Sequence, residues 1–363
     1  MKWSYKIATV FGIPIKLHLT FLLLLAFFTV RANPQGGYSI YVGNAVLVVL
    51  LFGCVLLHEL SHSLTAMKNG VRVRSITLLP IGGVAQMATM PDEPGQEVKI
   101  ALAGPLASYC LAGGIFVLSG FIGQAHSVLA FPASAFEDIP LSRLLASRLF
   151  WANIMLGTLN LLPAFPMDGG RVLRGLLAKK MGMVKATRMA VSFGQAFAIG
   201  LYFLGALYYH QLGFLILLAV FVYMGARNEE EEVEFRSEIA DAAAGDAMLV
   251  KFDSLAPRMT VRESLDVLRH SSQEEFPVLD GDKLVGMVSK NDVISALGET
   301  EKDAVIGGIM HTDFIQSTAD SRLGAIFRQM EQHEKDMVPI LADGKVVGLL
   351  SYDQIGRYHT LKR

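Results

Sequence analysis

Three ionisable residues, His58, Glu59 and His62, stand within five positions of an apolar run that includes Val46-Leu47-Val48-Val49-Leu50-Leu51-Phe52. On an α-helix four residues turn through about 400°, so His58 and His62 lie one turn apart on the same face. Two imidazole nitrogens so placed can share one tetrahedral Zn²⁺. Glu59 lies one step round, outside the ligand row but near enough to take the proton from an attacking water. This is the spacing of the zinc hydrolases. A charged group at the bilayer centre costs roughly 2.5–3.5 kcal/mol on insertion scales, so ionisable residues in a span face an interior. A metal gives all three a common reason to be there.

The surroundings are those of a membrane protein. The 363 residues are 52% hydrophobic and 18% charged, with a mean hydropathy of +0.42, too apolar for an ordinary soluble chain. The apolar excess fills residues 1–226, and the remainder has the composition of a soluble domain. A net charge of −1 says nothing about nucleic acid. Cys54 and Cys110 both lie in apolar runs and read as small buried hydrophobes rather than a disulfide or ligand pair. The first apolar run has no small-residue cleavage site and reads as a retained span.

The fold class expected is an α-helical polytopic membrane protein of about six transmembrane helices, with a re-entrant β-hairpin, joined to an α+β domain. After a lead over 1–14, the spans fall at about 15–30, 40–68, 98–122, 144–162, 189–208 and 212–224, with loops at 31–39 and 124–143. His18, near the start of the first, reads as an interfacial histidine rather than a ligand. Residues 71–87 alternate and are rich in β-branched side chains, so they read as strand. Around Gly82-Gly83 they form either a re-entrant hairpin beside the site or a plain cytosolic one. Residues 171–181 read as a short amphipathic helix.

Six spans leave both termini on one side. Lys2, Lys6, Lys68, Arg72, Arg74, Lys99, Arg171, Arg174, Lys179, Lys180, Lys185, Arg188 and Arg227 flank that face, against Arg31, Arg143 and Arg148 on the other. The positive-inside rule makes the crowded face cytoplasmic, and with it both termini and the soluble domain of a multi-pass cell-membrane protein. A catalytic zinc takes three protein ligands, so one is missing from the two histidines. Asp168, at the cytoplasmic end of the fourth span within Pro163-Ala164-Phe165-Pro166-Met167-Asp168-Gly169-Gly170, is the best-placed candidate. It reads also as a helix-stop residue in a Pro/Gly turn.

Residues 227–245, with Glu229 to Glu232 in one run, read as an acidic solvated linker. Beyond it, in 246–363, the chain repeats itself. Phe276-Pro277-Val278-Leu279-Asp280-Gly281 returns as Val338-Pro339-Ile340-Leu341-Ala342-Asp343-Gly344, with Pro277 and Pro339, and Gly286 and Gly348, each 62 residues apart. Each copy reads strand, tight turn, strand, helix. This resembles a tandem pair of CBS domains, at about 246–300 and 306–360. The resemblance implies a pseudo-twofold module that binds adenine nucleotide (ATP or AMP) and pairs into homodimers. In that family a Ser/Thr-x-x-Asp run places its Asp on the ribose, which assigns Ser289 and Asp292 in the first copy; the second copy departs, with Gln354 at the equivalent position.

His58-Glu59-x-x-His62, together with Asn160-x-x-Pro163-x-x-Pro166-x-Asp168-Gly169-Gly170, Gly82-Gly83 and Gly104-Pro105, resembles the site-2 protease family of intramembrane zinc metalloproteases. The six-span core with a C-terminal CBS pair is similar to the branch that includes the bacterial sporulation-factor proteases. That resemblance implies that His58, His62 and Asp168 hold one Zn²⁺ and that Glu59 activates water. It implies as substrate a membrane protein with a transmembrane segment, taken within the lipid bilayer, and no nucleic-acid partner. Gly82 and Gly83 would hold the extended substrate by β-addition, and Asn160 would steady its backbone or the developing oxyanion. Ser108 stands where many members carry Asn and is expected to touch no ligand. The competing class is a CBS-regulated ion transporter or channel, with His58, Glu59 and Asp168 along an ion path. It explains the intramembrane charges but not the carboxylate directly after the first histidine.

Overall fold

The computed structural model describes residues 3–31, 38–80, 82–87, 93–123, 125–129, 141–298 and 304–362. The expected loops at 31–39 and 124–143 fall largely outside these residues. The chain divides into two compact units, Met1–Val233 and Glu234–Arg363.

The first unit opens with two strands, β1 (Ser4–Val10) and β2 (Ile13–His18), not with a lead and a span. Helix α1 (Leu19–Arg31) begins only after them and has 13 residues. The expected span at 15–30 is therefore corrected at its start: Ile13, Ile15 and Leu17 alternate with polar or neutral neighbours, a period of two that hydropathy alone merges into the helix that follows. His18 Nδ1 lies 2.7 Å from Thr20 Oγ1 and accepts from the Thr20 N–H at 3.4 Å, so it serves the open first turn of α1. Next come α2 (Tyr38–Lys68), β3 (Val73–Leu79) and β4 (Gly82–Met87). The four strands form one sheet in the order β1-β2-β3-β4, with β2 and β3 parallel and the other pairs antiparallel. Ile13, Ile15 and Ile76 of this sheet pack on Leu60 of α2, all buried.

The remaining helices of the unit are α3 (Pro94–Phe121), α4 (Ala125–Leu129), α5 (Leu141–Asn160), α6 (Asp168–Met181), α7 (Met183–Leu207), α8 (Tyr209–Leu212) and α9 (Phe214–Ala240), whose last turns lie past the division. Among the described residues three helices are long and apolar enough to cross a membrane: Val42–Lys68, Pro94–Phe121 and Met183–Leu207. They and their neighbours turn large apolar side chains outward, as at Val49, Val117, Leu118, Phe203 and Leu217. Such a surface suits lipid, not water. Small residues make the inner contacts. Gly175 sits on Val98 and the Pro94 carbonyl, and Gly157 on Tyr109 and the Pro105 carbonyl. Cys110 is exposed on α3, against the expectation of a buried cysteine; Cys54 is half-buried and accepts a bond from Asn153 Nδ2 at 3.2 Å.

The stretch expected to be a solvated linker is helical. Residues 227–240 continue α9. Glu229 is bonded by Arg171 Nη2 (3.2 Å) and Arg174 Nη1 (2.9 Å), and Val233 and Ile239 are buried. The glutamate run is part of a helix with buried apolar residues, and its first carboxylate meets two arginines, one of them buried.

The second unit contains α10 (Ala244–Ala247), α11 (Val261–His270), β5 (Glu275–Asp280), β6 (Lys283–Ser289), α12 (Lys290–Gly298), α13 (Ile306–Ile309), β7 (Ser317–Thr318), α14 (Leu323–His333), β8 (Met337–Ala342), β9 (Lys345–Ser351) and α15 (Tyr352–Lys362). Its sheet runs β5-β6-β9-β8-β7. The two hairpins share a register, Val278 opposite Gly286 and Ile340 opposite Gly348, each followed by a bulge. The two copies interlock: Gly286 of the first packs on Met310 of the second, and Gly348 of the second packs on Met248 of the first. Each copy thus completes the other, so neither buries its core alone. A capping box, with Thr260 Oγ1 accepting from Glu263 N and Glu263 Oε2 from Thr260 N, opens α11.

Candidate metal centre

Helix α2 brings His58 and His62 one turn apart, with 2% and 6% exposure. Their Nε2 atoms are 3.1 Å apart, and Asp168 Oδ2 stands 3.3 Å from the first and 3.1 Å from the second. In a tetrahedral zinc site with ligands at about 2.0–2.1 Å, ligand atoms stand about 3.3–3.4 Å from one another. The three donors therefore have the spacing and the chemistry that a single Zn²⁺ takes. They are the group of His, Cys, Asp and Glu side chains that could hold a metal among the described residues.

The third donor is set by a turn built from glycine. Asp168 is the first residue of α6. A Cβ on Gly169 would strike the carbonyls of Leu161 and Leu162, and one on Gly170 would meet the Phe165 N at 2.7 Å. Only with both positions bare does the first turn of α6 fold back on 161–165, which carries the carboxylate to the histidines. Phe165, fully buried, is held from the other side by the guanidinium of Arg174, 5.0 Å from its ring centroid. Arg174 itself is 3% exposed; its Nε bonds Glu97 Oε1 at 2.8 Å, and it pairs with Glu229. Burial opposes the charge of Glu229, but Arg171 and Arg174 outweigh it and hold its carboxyl below the usual range.

Helix α3 fixes the imidazoles from behind. His62 Nδ1 lies 2.6 Å from the Ile100 carbonyl, which can only accept, so Nδ1 carries the proton and Nε2 is left as the donor to a metal. His58 Nδ1 lies 2.9 Å from Ser108 Oγ. Ser108 thus touches a ligand directly, a correction to the sequence expectation: three residues past Pro105 on a helix, it returns to the face that Gly104 presents. Gly104 is pressed against both rings, and a Cβ there would collide with the Nε2 atoms of His58 and His62. Its neighbour in the site is Gly83 of β4, where a Cβ would collide with Glu59 Cγ. The hairpin therefore backs onto the side chain next to the ligand row. Strand β4 is an edge of the sheet. Gly82, with φ of +139°, pairs with Leu79, and Gly83 with Leu78.

Asn160 is not brought among these groups. As the last residue of α5 its Nδ2 donates to the Leu156 carbonyl at 2.9 Å. In the second unit Ser289 and Asp292 do meet: Asp292 Oδ2 accepts from the Ser289 N–H at 2.9 Å and from its hydroxyl at 2.5 Å, and lies 3.2 Å from His311 Nε2. A cavity of about 480 Å³ opens instead at the second copy, lined by Asp246, Met248, Gln354, Arg357, Tyr358 and Lys362.

Comparison with known proteins gives the same outline. The model of peptidase family M50 matches residues 46–201, and that of the CBS domain matches 244–299 and 306–358. A zinc metalloprotease of Methanocaldococcus jannaschii is 34% identical over 360 residues, 98% of this chain and 96% of its own. Stage IV sporulation protein FB of Bacillus subtilis is 29% identical over 158 residues, 43% of this chain and 48% of its own. A solved structure of the site-2 protease from Methanocaldococcus jannaschii is 38% identical, covering 63% of this chain and 95% of that one, with a TM-score of 0.45.

Proposed function

Because the chain belongs to peptidase family M50, the site-2 proteases, we propose that it cuts its membrane-protein substrates at a zinc held by His58, His62 and Asp168, with Glu59 as the base. The carrying observation is the convergence of His58 Nε2, His62 Nε2 and Asp168 Oδ2 within 3.1–3.3 Å of one another. When bound, zinc supplies a Lewis acid that polarises a carbonyl and makes water a nucleophile at neutral pH. Glu59 takes the proton from the attacking water and later gives it to the leaving amine. Its carboxylate is set by the bare face of Gly83. The Ile100 carbonyl keeps His62 in the tautomer with Nε2 free, and Ser108 Oγ is placed to accept from His58 Nδ1 in the same tautomer. A peptide bond inside a regular helix is shielded by its neighbours, so the substrate span must unwind locally. Strand β4, as an edge, takes up the extended segment by β-addition. The Asn160 amide, with one N–H on Leu156, has a second for the substrate backbone or the oxyanion.

The sheet serves this from membrane depth, as a re-entrant hairpin, in a bundle of about six spans whose termini and CBS unit are cytoplasmic. The excess of Lys and Arg on that face supports the orientation. So does the length of α1: 13 residues make about 20 Å of helix, short of a core of about 30 Å, so β2 completes the crossing. The CBS pair binds an adenine nucleotide, which regulates cleavage, and pairs with a second copy.

The test is metal content beside activity. The intact protein is expected to carry about one zinc per chain. His58→Ala, His62→Ala and Asp168→Ala lose it, and Glu59→Gln keeps it while losing proteolysis. Zinc retained in the Asp168 variant would remove Asp168 from the site, and proteolysis by Glu59→Gln would remove the base. A cysteine at Val84, 40% exposed on β4, should crosslink to a cysteine in the substrate span; an active variant that never crosslinks would refute the clamp. Nucleotide titration of the full chain beside Asp292→Ala tests the regulatory site, and binding that survives there moves it to the second-copy cavity.

A further inference from the structure

The hairpin β1–β2 has chemistry that catalysis does not use. It turns at Phe11-Gly12, both with positive φ (+49° and +81°). Its inner strand is anchored by Ile13 and Ile15 under α2, but its outer strand overhangs. Trp3 is 60% exposed, Tyr5 64% and Ile7 56%. Between these residues, Lys6 stands directly opposite Lys16 in the strand register. Facing residues in an antiparallel pair have Cβ atoms about 4.5–5.5 Å apart, and like charges so placed repel. Among the described residues neither lysine has an acidic partner. The hairpin thus sets two like charges opposite one another on one face and turns Trp3, Tyr5 and Ile7, alternate positions along β1 and just before it, to the other.

We propose that this hairpin docks on the bilayer interface, with the Lys6–Lys16 pair binding the phosphates of anionic phospholipid headgroups. The level follows from the helix it feeds. The Leu19 N–H donates to the Trp3 carbonyl at 2.9 Å, which ties Trp3 to the first residue of α1. Helix α1, about 20 Å long, leaves about 10 Å of a 30 Å hydrocarbon core to be crossed by strand. Lys16 is three residues before Leu19, about 10 Å at 3.3 Å per residue. The lysine pair therefore reaches the headgroups while Trp3 and Tyr5 lie on the acyl side, the usual order of cation and aromatic at an interface. A protein strand is a poor occupant of the same edge. The register shifts between Lys6 and Ala8, and a bulge with an edge lysine blocks in-register pairing.

The experiment reads Trp3 in the full-length protein reconstituted in vesicles. The chain has two tryptophans, Trp3 and Trp151, so the parent signal minus that of Trp3→Phe is the signal of Trp3. Acyl-brominated phosphatidylglycerol and acyl-brominated phosphatidylcholine are the quenchers, and aqueous iodide is the control. The docked hairpin is quenched by bromolipid, poorly by iodide, and more by the anionic phosphatidylglycerol than by phosphatidylcholine. That preference drops about fivefold for Lys6→Gln or Lys16→Gln and about 25-fold for both, from the attraction of a lysine to an anionic surface. Both substitutions are on the hairpin surface, and unchanged zinc content checks that the protein is intact. Quenching by iodide alone, equal quenching by the two lipids, or a lipid preference untouched by the double variant would each overturn the proposal. So would shielding of Trp3 that rises with protein-to-lipid ratio, which would put a second copy on the hairpin.

Discussion

Ser108→Ala isolates the support behind the metal site from the ligands themselves. In the native protein His58 Nδ1 and Ser108 Oγ are 2.9 Å apart, with 2% exposure for the histidine and none for the serine. Alanine removes the acceptor and leaves a buried N–H where water has little access. An unsatisfied buried donor costs about 1–3 kcal/mol. The imidazole can escape that cost by moving its proton to Nε2, but that tautomer cannot ligate. Either way the penalty falls on the metal-binding form, and at about 1.4 kcal/mol per tenfold it weakens zinc binding by about 5- to 150-fold, in the range found for other supporting residues. The assay is competition with a zinc-binding dye in detergent at fixed pH. Ser108→Asn retains an acceptor and is expected to stay within a few-fold of the native Kd. Zinc affinity within twofold of native for Ser108→Ala would refute the supporting role. Equal loss in both variants would make it a matter of packing alone.

Four further outcomes follow from the same geometry. Gly104→Ala sets a methyl group on the two ligand nitrogens and should abolish zinc retention, as measured by metal analysis, although it removes no donor. Gly83→Ala should instead keep zinc and lower kcat, because its Cβ meets Glu59 and no ligand. Arg174→Ala leaves Glu97, whose Oε2 already lacks a partner, wholly unpaired in the interior. It should lower stability by about 3–5 kcal/mol in thermal unfolding. Glu229, held below its ordinary 4.5 by Arg171 and Arg174 against its burial, contributes stability that is present at neutral pH and lost as pH falls below about 4.5. Glu229→Gln should flatten that acid limb.

Much of the site was legible because its chemistry is local in sequence. The four-residue spacing of His58 and His62 survives any tertiary arrangement, since a helix alone puts them on one face. Asp168 was legible from its place after a span within a Pro/Gly turn, though what the two glycines do became visible only when Leu161, Leu162 and Phe165 were seen beneath them. The N-terminal strands were missed because hydropathy averages over 15–30, while the deciding signal was the alternation at Ile13, Ile15 and Leu17. The acidic run was misread for the opposite reason. Composition describes the average glutamate in it, and Glu229 is the exception, recruited by two arginines more than fifty residues away.

The contacts that could not be read from sequence have one thing in common: each reaches across elements rather than acting by its own reactivity. Ser108, the Ile100 carbonyl and Gly104 all come from α3, which supplies no ligand yet touches both histidines. Gly83 touches Glu59 from the sheet, and Arg174 holds Phe165 beneath the turn that presents Asp168. The candidate ligands thus come from two helices, and their geometry is set by contacts from α3, from β4 and from Arg174. Inside a membrane this division has a physical reason. Away from bulk water a misplaced imidazole or carboxylate is costly, so the supporting contacts of the site come from the protein itself. Loss of His58, His62 or Asp168, or a methyl group pressed on the histidine nitrogens at Gly104, should remove the metal, whereas Ser108→Ala and Gly83→Ala should shift affinity or rate by degrees.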